Sequence, residues 1–381
     1  MKTKYFKYYF TVFLTWSCTY TMITVYFNEA LKIPASQVGA FMSIIPLVTL
    51  TFQPFWGSIS DRLGDRKMVL KGLIVTTFSL ALILPHLNLP VLSFGFYIVF
   101  MVFLSGQNPI SDSLTIQFVN HDRSISYGGI RAWGSIGYAV GAFIVAKVSA
   151  MLGLKMIFYL AAVGYVLSFL ALRPIETVGK SGGGGSYFKD LRLLLKEKQY
   201  VFILVYTFFL LGSFFAGEQF VFMYTRHAGV SLTQLGMITS LSVVVEIPFI
   251  FFSKKLIETY GEKKLIFGIT VISALRLITL SYSSYFALFL FAGALRGIVV
   301  GIFVPLFVEM ISIIAPKAVV ASAISIYMAV STGVASFLFT VLGSLIIENA
   351  GYGNLYRFYG LVTLSVLFLA FKLPKIESEI Q

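Results

Sequence analysis

Residues 57–70 read GSISDRLGDRKMVL, and within them Asp61, Arg62, Asp65, Arg66 and Lys67 crowd five charges around Gly64. Only 12% of the 381 residues are charged, so this concentration asks for a cause. The turn lies between two long apolar runs, and the rest of the chain repeats that alternation. With 58% hydrophobic residues and 38 Phe, the chain carries more apolar surface than a water-soluble globule of its size can bury. A bilayer is the solvent that fits.

Runs of about 20 apolar residues, enough to cross roughly 30 Å of hydrocarbon, occur twelve times. They cover about 6–27, 37–60, 68–88, 90–118, 129–153, 154–172, 200–225, 232–256, 263–284, 286–314, 318–346 and 354–373. The first run follows Lys2, Lys4 and Lys7 like a signal sequence. It lacks a small-residue cleavage site and is too long, so it reads as span one. The only cysteine, Cys18, lies inside it, which leaves no disulfide framework and no thiol cluster for a metal.

A net charge of +13 could signal nucleic acid, but its distribution says otherwise. Of 29 Lys and Arg, five (Lys32, Lys147, Lys155, Arg226 and Arg357) fall on one side of the alternating spans. Three lie within spans, and 21 fall on the side that holds both termini. This is the positive-inside pattern. It places both termini in the cytoplasm of a multi-pass cell-membrane protein, with lipid and not nucleic acid as the partner.

The second half repeats the first. Asp61-Arg62-Leu63-Gly64-Asp65-Arg66-Lys67 is echoed 197 residues later by Glu258-Thr259-Tyr260-Gly261-Glu262-Lys263-Lys264, and at the same offset Asp112 falls on Glu309. Two matches at one offset argue for tandem six-span repeats. The expected domains are 1–172, a linker 173–199 holding SGGGGS and an amphipathic segment FKDLRLLLKEK, 200–373, and a cytoplasmic tail 374–381. The SGGGGS run also looks like an inserted expression linker and receives no functional weight.

On these residues the chain resembles the major facilitator superfamily over essentially its whole length. The signature between spans two and three, Gly-x-Leu-x-Asp-Arg-x-Gly-Arg-Lys/Arg-x-x-Leu, is met by Gly57, Asp61, Arg62, Gly64, Arg66, Lys67 and Leu70. Ile59 replaces Leu, and Asp65 stands where Arg is usual. The resemblance implies an all-α membrane fold of twelve helices in two pseudo-symmetric bundles, working as a monomeric carrier without cofactor. In physical terms, Gly57 is expected to let span two approach a neighbour and Gly64 to permit the turn. Asp61, Arg62, Arg66 and Lys67 would form a charge-assisted latch that fastens in one conformer and releases in the other.

Seven ionisable residues fall inside spans: Asp112, Arg131, Glu218, Glu246, Arg276, Arg296 and Glu309. Each costs about 2.5–3.5 kcal/mol alone at mid-bilayer, so four acids and three bases point to mutual pairing around a wet path. SYGGIRAWGSIGYAVGAF, opening span five, resembles the lactose permease and phenylpropionate permease branches of the superfamily. That likeness implies a substrate site at Asp112 and Arg131, paired on facing helices. Tyr138, two turns beyond Arg131, stands where that branch has a sugar-stacking Trp, and it can equally be plain packing.

In the second half Glu246 and Arg276 resemble the phenylpropionate permease branch. Arg276 and Arg296 are expected to complete the substrate site. A buried carboxyl whose cation partner can leave suits proton transfer, so proton coupling is assigned first to Glu246, then to Glu218 and Glu309. Span ten reads Arg296 and Val299 where the lactose permease has a His and a coupling Glu. His86, His121 and His227 lie in loops or at span ends, so no histidine relay is available.

Gly134, Gly137, Gly141, Gly293, Gly297 and Gly301 are expected at close helix contacts, and Pro109, Pro248 and Pro305 at kinks. The expected function is import of a small polar organic solute (sugar, oligosaccharide, nucleoside or aromatic acid) with protons. A proton-antiport drug or metabolite exporter is the alternative, disfavoured by the missing Gly-Pro end of span five. A membrane enzyme would need a catalytic constellation that the spans do not hold.

Overall fold

The computed structural model describes residues 2–121, 127–175, 193–316 and 319–370. The SGGGGS run, the start of the expected amphipathic segment and the tail fall outside them. Among the described residues the chain is helical, and ten stretches are long and apolar enough to cross a membrane. These are Lys2–Ala30, Ala35–Leu63, Arg66–His86, Pro90–Val119, Tyr127–Leu152, Lys198–His227, Leu232–Tyr260, Glu262–Ser281, Phe286–Ile314 and Ser322–Ala370. The last covers 49 residues and turns back at Gly351 (φ 77°, ψ 176°), which makes it two spans. With the shorter apolar helix Met156–Leu172, the apolar helices among the described residues are numbered as spans one to twelve in chain order below. The hydrocarbon core leaves no water for backbone groups, so each pass satisfies its own N–H and C=O groups as helix.

The offset of 197 is visible in the helices themselves. Span two, Ala35–Leu63, and span eight, Leu232–Tyr260, have the same length of 29 residues and bounds displaced by that number at both ends. Both are followed by a left-handed glycine, Gly64 (φ 70°) and Gly261 (φ 74°), the conformation only glycine adopts cheaply. The expected turn at Gly64 is therefore present. Gly57 is not at a close contact: a Cβ there would meet nothing within 4 Å. The helix approach expected at Gly57 is corrected accordingly, and its place is taken by span five. There a Cβ on Gly137 would overlap the Phe10 carbonyl, and one on Gly141 would overlap Ser17 and the Leu14 backbone. Gly301 plays the same part against Glu246 and Phe249 of span eight.

The residues group into two compact units, Met1–Gly182 with Phe222–Val244, and Gly183–Val221 with Val245–Gln381. In the first, span one packs on spans five and six, and span three on span six. Span four breaks at Gly106 between Pro90–Ser105 and Gln107–His121, where Pro109 lacks the N–H that would continue the ladder. The indole of Trp56 lies against Gly106 and donates to the Val102 carbonyl at 2.8 Å. In the second unit, Tyr200, Tyr206, Phe214, Phe303, Phe307 and Tyr327 anchor a core from spans seven, ten and eleven.

Candidate functional site

The signature turn is built to close helix ends. Asp65 caps span three, accepting from the Met68 N–H at 2.9 Å. Lys67 Nζ donates to the carbonyls of Arg173 and Ile175, both at 2.6 Å, and so closes the end of span six. Asp61, half-exposed, pairs with Arg66 at 3.2 Å, while Arg62 points to the exterior.

Charges at membrane depth gather in two clusters, one in each unit. In the first unit, neighbouring residues of span one meet neighbouring residues of span four. Tyr8 bonds Ser111 (2.8 Å), and the Tyr9 hydroxyl donates to Asp112 Oδ1 (2.7 Å). One turn further along span one, the Phe13 ring carries the Arg131 guanidinium 4.0 Å from its centroid. Tyr9 and Phe13 are stacked, with centroids 5.9 Å apart. No ion pair within 4 Å joins Asp112 to Arg131 among the described residues, so the direct pair expected between them is replaced by an aromatic partner for each. Below this lies a buried relay, Trp16 Nε1 to Gln107 Oε1 (3.3 Å) and Gln107 Nε2 to Thr77 Oγ1 (2.9 Å). Tyr138 is half-buried on span five.

The second unit's cluster is ionic. Glu218, on span seven, receives Arg276 Nη2 of span nine on one carboxylate oxygen and Arg296 Nε of span ten, at 2.5 Å, on the other. Arg296 Nη1 also stands 3.9 Å from Glu246 Oε2 of span eight. Arg276 is 2% exposed. It donates through Nε to the Ala292 carbonyl at 3.3 Å and lies 5.0 Å from the Phe214 ring centroid. Its remaining nitrogen, Nη1, is buried without a partner. Two arginines and two glutamates sum to zero, which is what makes four charges tolerable at this depth. A recess of about 380 Å³ lined by Pro248, Phe249, Phe252, Lys255, Leu256, Thr259 and Tyr260 runs along span eight, starting two residues beyond Glu246.

Sequence reasoning named Glu218, Glu246, Arg276 and Arg296, and all four come together. Glu309, half-buried on span ten, makes no hydrogen bond or ion pair among the described residues. Tyr9 and Phe13 were missed. The available signal was the repeat itself, since Tyr9 and Tyr206 stand 197 residues apart and both hydroxyls bond within their own unit, Tyr206 to Thr270.

Known proteins agree with this architecture. The MFS_1 like family model matches residues 2–358. The maltose permease of Geobacillus stearothermophilus is 27% identical over 99% of this chain and 95% of its own. The sucrose permease of Escherichia coli is 24% identical over 72% of this chain and 69% of its own. Among solved structures, the nucleoside transporter NupG superposes with a TM-score of 0.86 at 16% identity, covering 98% of this chain and 99% of that one. A D-xylose-proton symporter superposes at 0.73 and 14% identity, covering 100% and 99%. Apolar helical passes throughout the described residues, the signature turn and a family match across nearly the whole chain make this a membrane transporter belonging to the major facilitator superfamily.

Proposed function

We propose that the chain imports an oligosaccharide of the maltose class together with protons, as a monomer in the cell membrane with both termini cytoplasmic. The observation that carries the reading is the neutral four-residue cluster Glu218, Arg276, Arg296 and Glu246. Arg296 reaches both carboxylates but holds Glu218 far more closely, so a proton on Glu246 changes the charge of the set by one while the Glu218 clamp persists. Glu218 holds the two arginines in place, and Glu309 is a reserve acid on span ten.

Asp112, Arg131 and Tyr138 present the substrate surface, with Arg276 and Arg296 completing it. A carboxylate and a guanidinium already bound to aromatic partners can exchange them for sugar hydroxyls, and an aromatic face suits the apolar side of a pyranose. The names of the maltose and sucrose permeases favour a sugar over a nucleoside or an aromatic acid. The two six-span repeats, 1–172 and 200–373, would alternate access. Asp61, Arg62, Arg66 and Lys67, with Gly57 and Gly64 around them, would serve as the inner latch, since half-exposed Asp61 can trade Arg66 for another cation.

The purified chain in proteoliposomes tests this. With the lumen alkaline, labelled maltose should accumulate above its external concentration, and a protonophore should abolish the excess. Accumulation of a nucleoside in place of maltose, or of maltose without regard to the proton gradient, would contradict the reading.

A further inference from the structure

Span four is continuous in hydropathy but not in its backbone. Pro109 lacks an N–H and its ring crowds the Ser105 carbonyl, so the ladder fails one turn earlier. At the break the Gly106 N–H, which a regular helix would aim at the Val102 carbonyl, bonds the Leu104 carbonyl instead. Two side chains take the Val102 carbonyl in its place: Ser105 Oγ donates at 2.7 Å, and the Trp56 indole N–H of span two at 2.8 Å. The same indole fills the space beside Gly106, where a Cβ would stand 2.6 Å from Trp56 Cγ. Phe55 and Phe103 hold the ring, with centroids 5.3 and 5.4 Å away.

Beyond the break the half-helix Gln107–His121 is fixed at its first residue. Gln107, 1% exposed, accepts from Trp16 Nε1 of span one at 3.3 Å and donates to Thr77 Oγ1 of span three at 2.9 Å. Its carbonyl accepts from Ser111 Oγ at 2.6 Å, and Ser111 also bonds the Tyr8 hydroxyl. The next residue is Asp112, which accepts from Tyr9. Six residues of helix lead from Gly106 to Asp112, a lever of about 9 Å. A tilt of about 10° at the break would therefore move Asp112 by about 1.5 Å, enough to part it from Tyr9. Spans one, two and three all act on the joint, so the direction in which Asp112 is held is set from outside span four.

We propose that Trp56 and Gln107 are positioning residues for Asp112, with Gly106 as the seat of the indole. Pro109 sets where span four bends, and these two side chains set by how much: Trp56 takes the carbonyl that the break frees, and Gln107 ties the half-helix that follows to spans one and three. Both act through Asp112. This rests on the reading of Asp112 as a substrate group, and the test separates the two.

Maltose affinity of the full chain in detergent is measured with Trp56→Phe made in the parent and again in Asp112→Asn. Phenylalanine keeps a ring on Gly106 and drops the N–H. Binding should weaken about fivefold in the parent, the worth of one hydrogen bond, and should weaken no further in Asp112→Asn, because both changes act at one point. Gly106→Ala, which keeps the indole but occupies its seat, should behave in the same way. An equal loss in both backgrounds, or no loss in the parent, would overturn the proposal. If Asp112→Asn binds maltose as tightly as the parent, the substrate reading fails, and amide exchange without ligand decides the positioning. Trp56→Phe should then speed exchange over residues 106–112 about fivefold, and unchanged rates would overturn it.

Discussion

The two units solve the problem of charge in hydrocarbon differently. In the first, Asp112 is held by a neutral hydroxyl and Arg131 by a ring face. In the second, Glu218 is held by two guanidiniums, one of them on a residue only 2% exposed. A charge with neutral partners keeps most of its hydrogen-bonding capacity and can give it to a ligand at small cost. A carboxylate clamped by two cations cannot leave without stranding buried charge. The contrast supports the proposed division, in which recognition centres on the first cluster and charge accounting on the second.

Removing the clamp should have the largest effect. Glu218→Gln strands Arg276, and the unfolding free energy in detergent should fall by about 3–5 kcal/mol, read as a lower melting temperature. Asp112→Asn sharpens the comparison, because the amide oxygen still accepts from Tyr9. Stability should change by no more than about 1 kcal/mol while maltose binding falls at least about tenfold, as expected for a lost charged contact of roughly 1.5 kcal/mol. An Asp112→Asn protein as unstable as Glu218→Gln would erase the distinction between the units. Tyr9→Phe removes one hydrogen bond and should cost about 0.5–1.5 kcal/mol, with a weaker binding defect than Asp112→Asn. Phe13→Leu, which deletes the ring under Arg131, should cost about 1 kcal/mol beyond its packing loss. At the bottom of the scale, Gly57→Ala should change stability by less than about 0.5 kcal/mol, since nothing stands where its methyl would go.

Much of this was legible in the chain. Apolar run length gave the passes, because bilayer thickness fixes it, and the 197-residue echo gave the matching bounds of spans two and eight. The depth of the seven charges was readable too. Their partners were not, because pairing depends on the rotation of each helix, and a hydropathy run leaves that undetermined. Arg131 and Asp112 looked like natural partners, yet the aromatic rings of span one lie with each of them. The break in span one at Thr21–Met22 went unread because residues 21–30 contain neither Gly nor Pro. Its signal is subtler: Thr15, Ser17 and Thr19 all turn their hydroxyls back onto carbonyls three or four residues earlier. Such back-bonding bends and weakens a helix, and the ladder loosens two residues later.

The central claim is that the ionic cluster counts protons while the first cluster holds the sugar. Exchange of labelled maltose across the membrane, measured beside its accumulation under an imposed pH gradient in the Glu246→Gln protein, tests it most directly. The account predicts exchange at close to the unmodified rate with no accumulation above equilibrium. Gradient-driven accumulation undiminished by the substitution would contradict it.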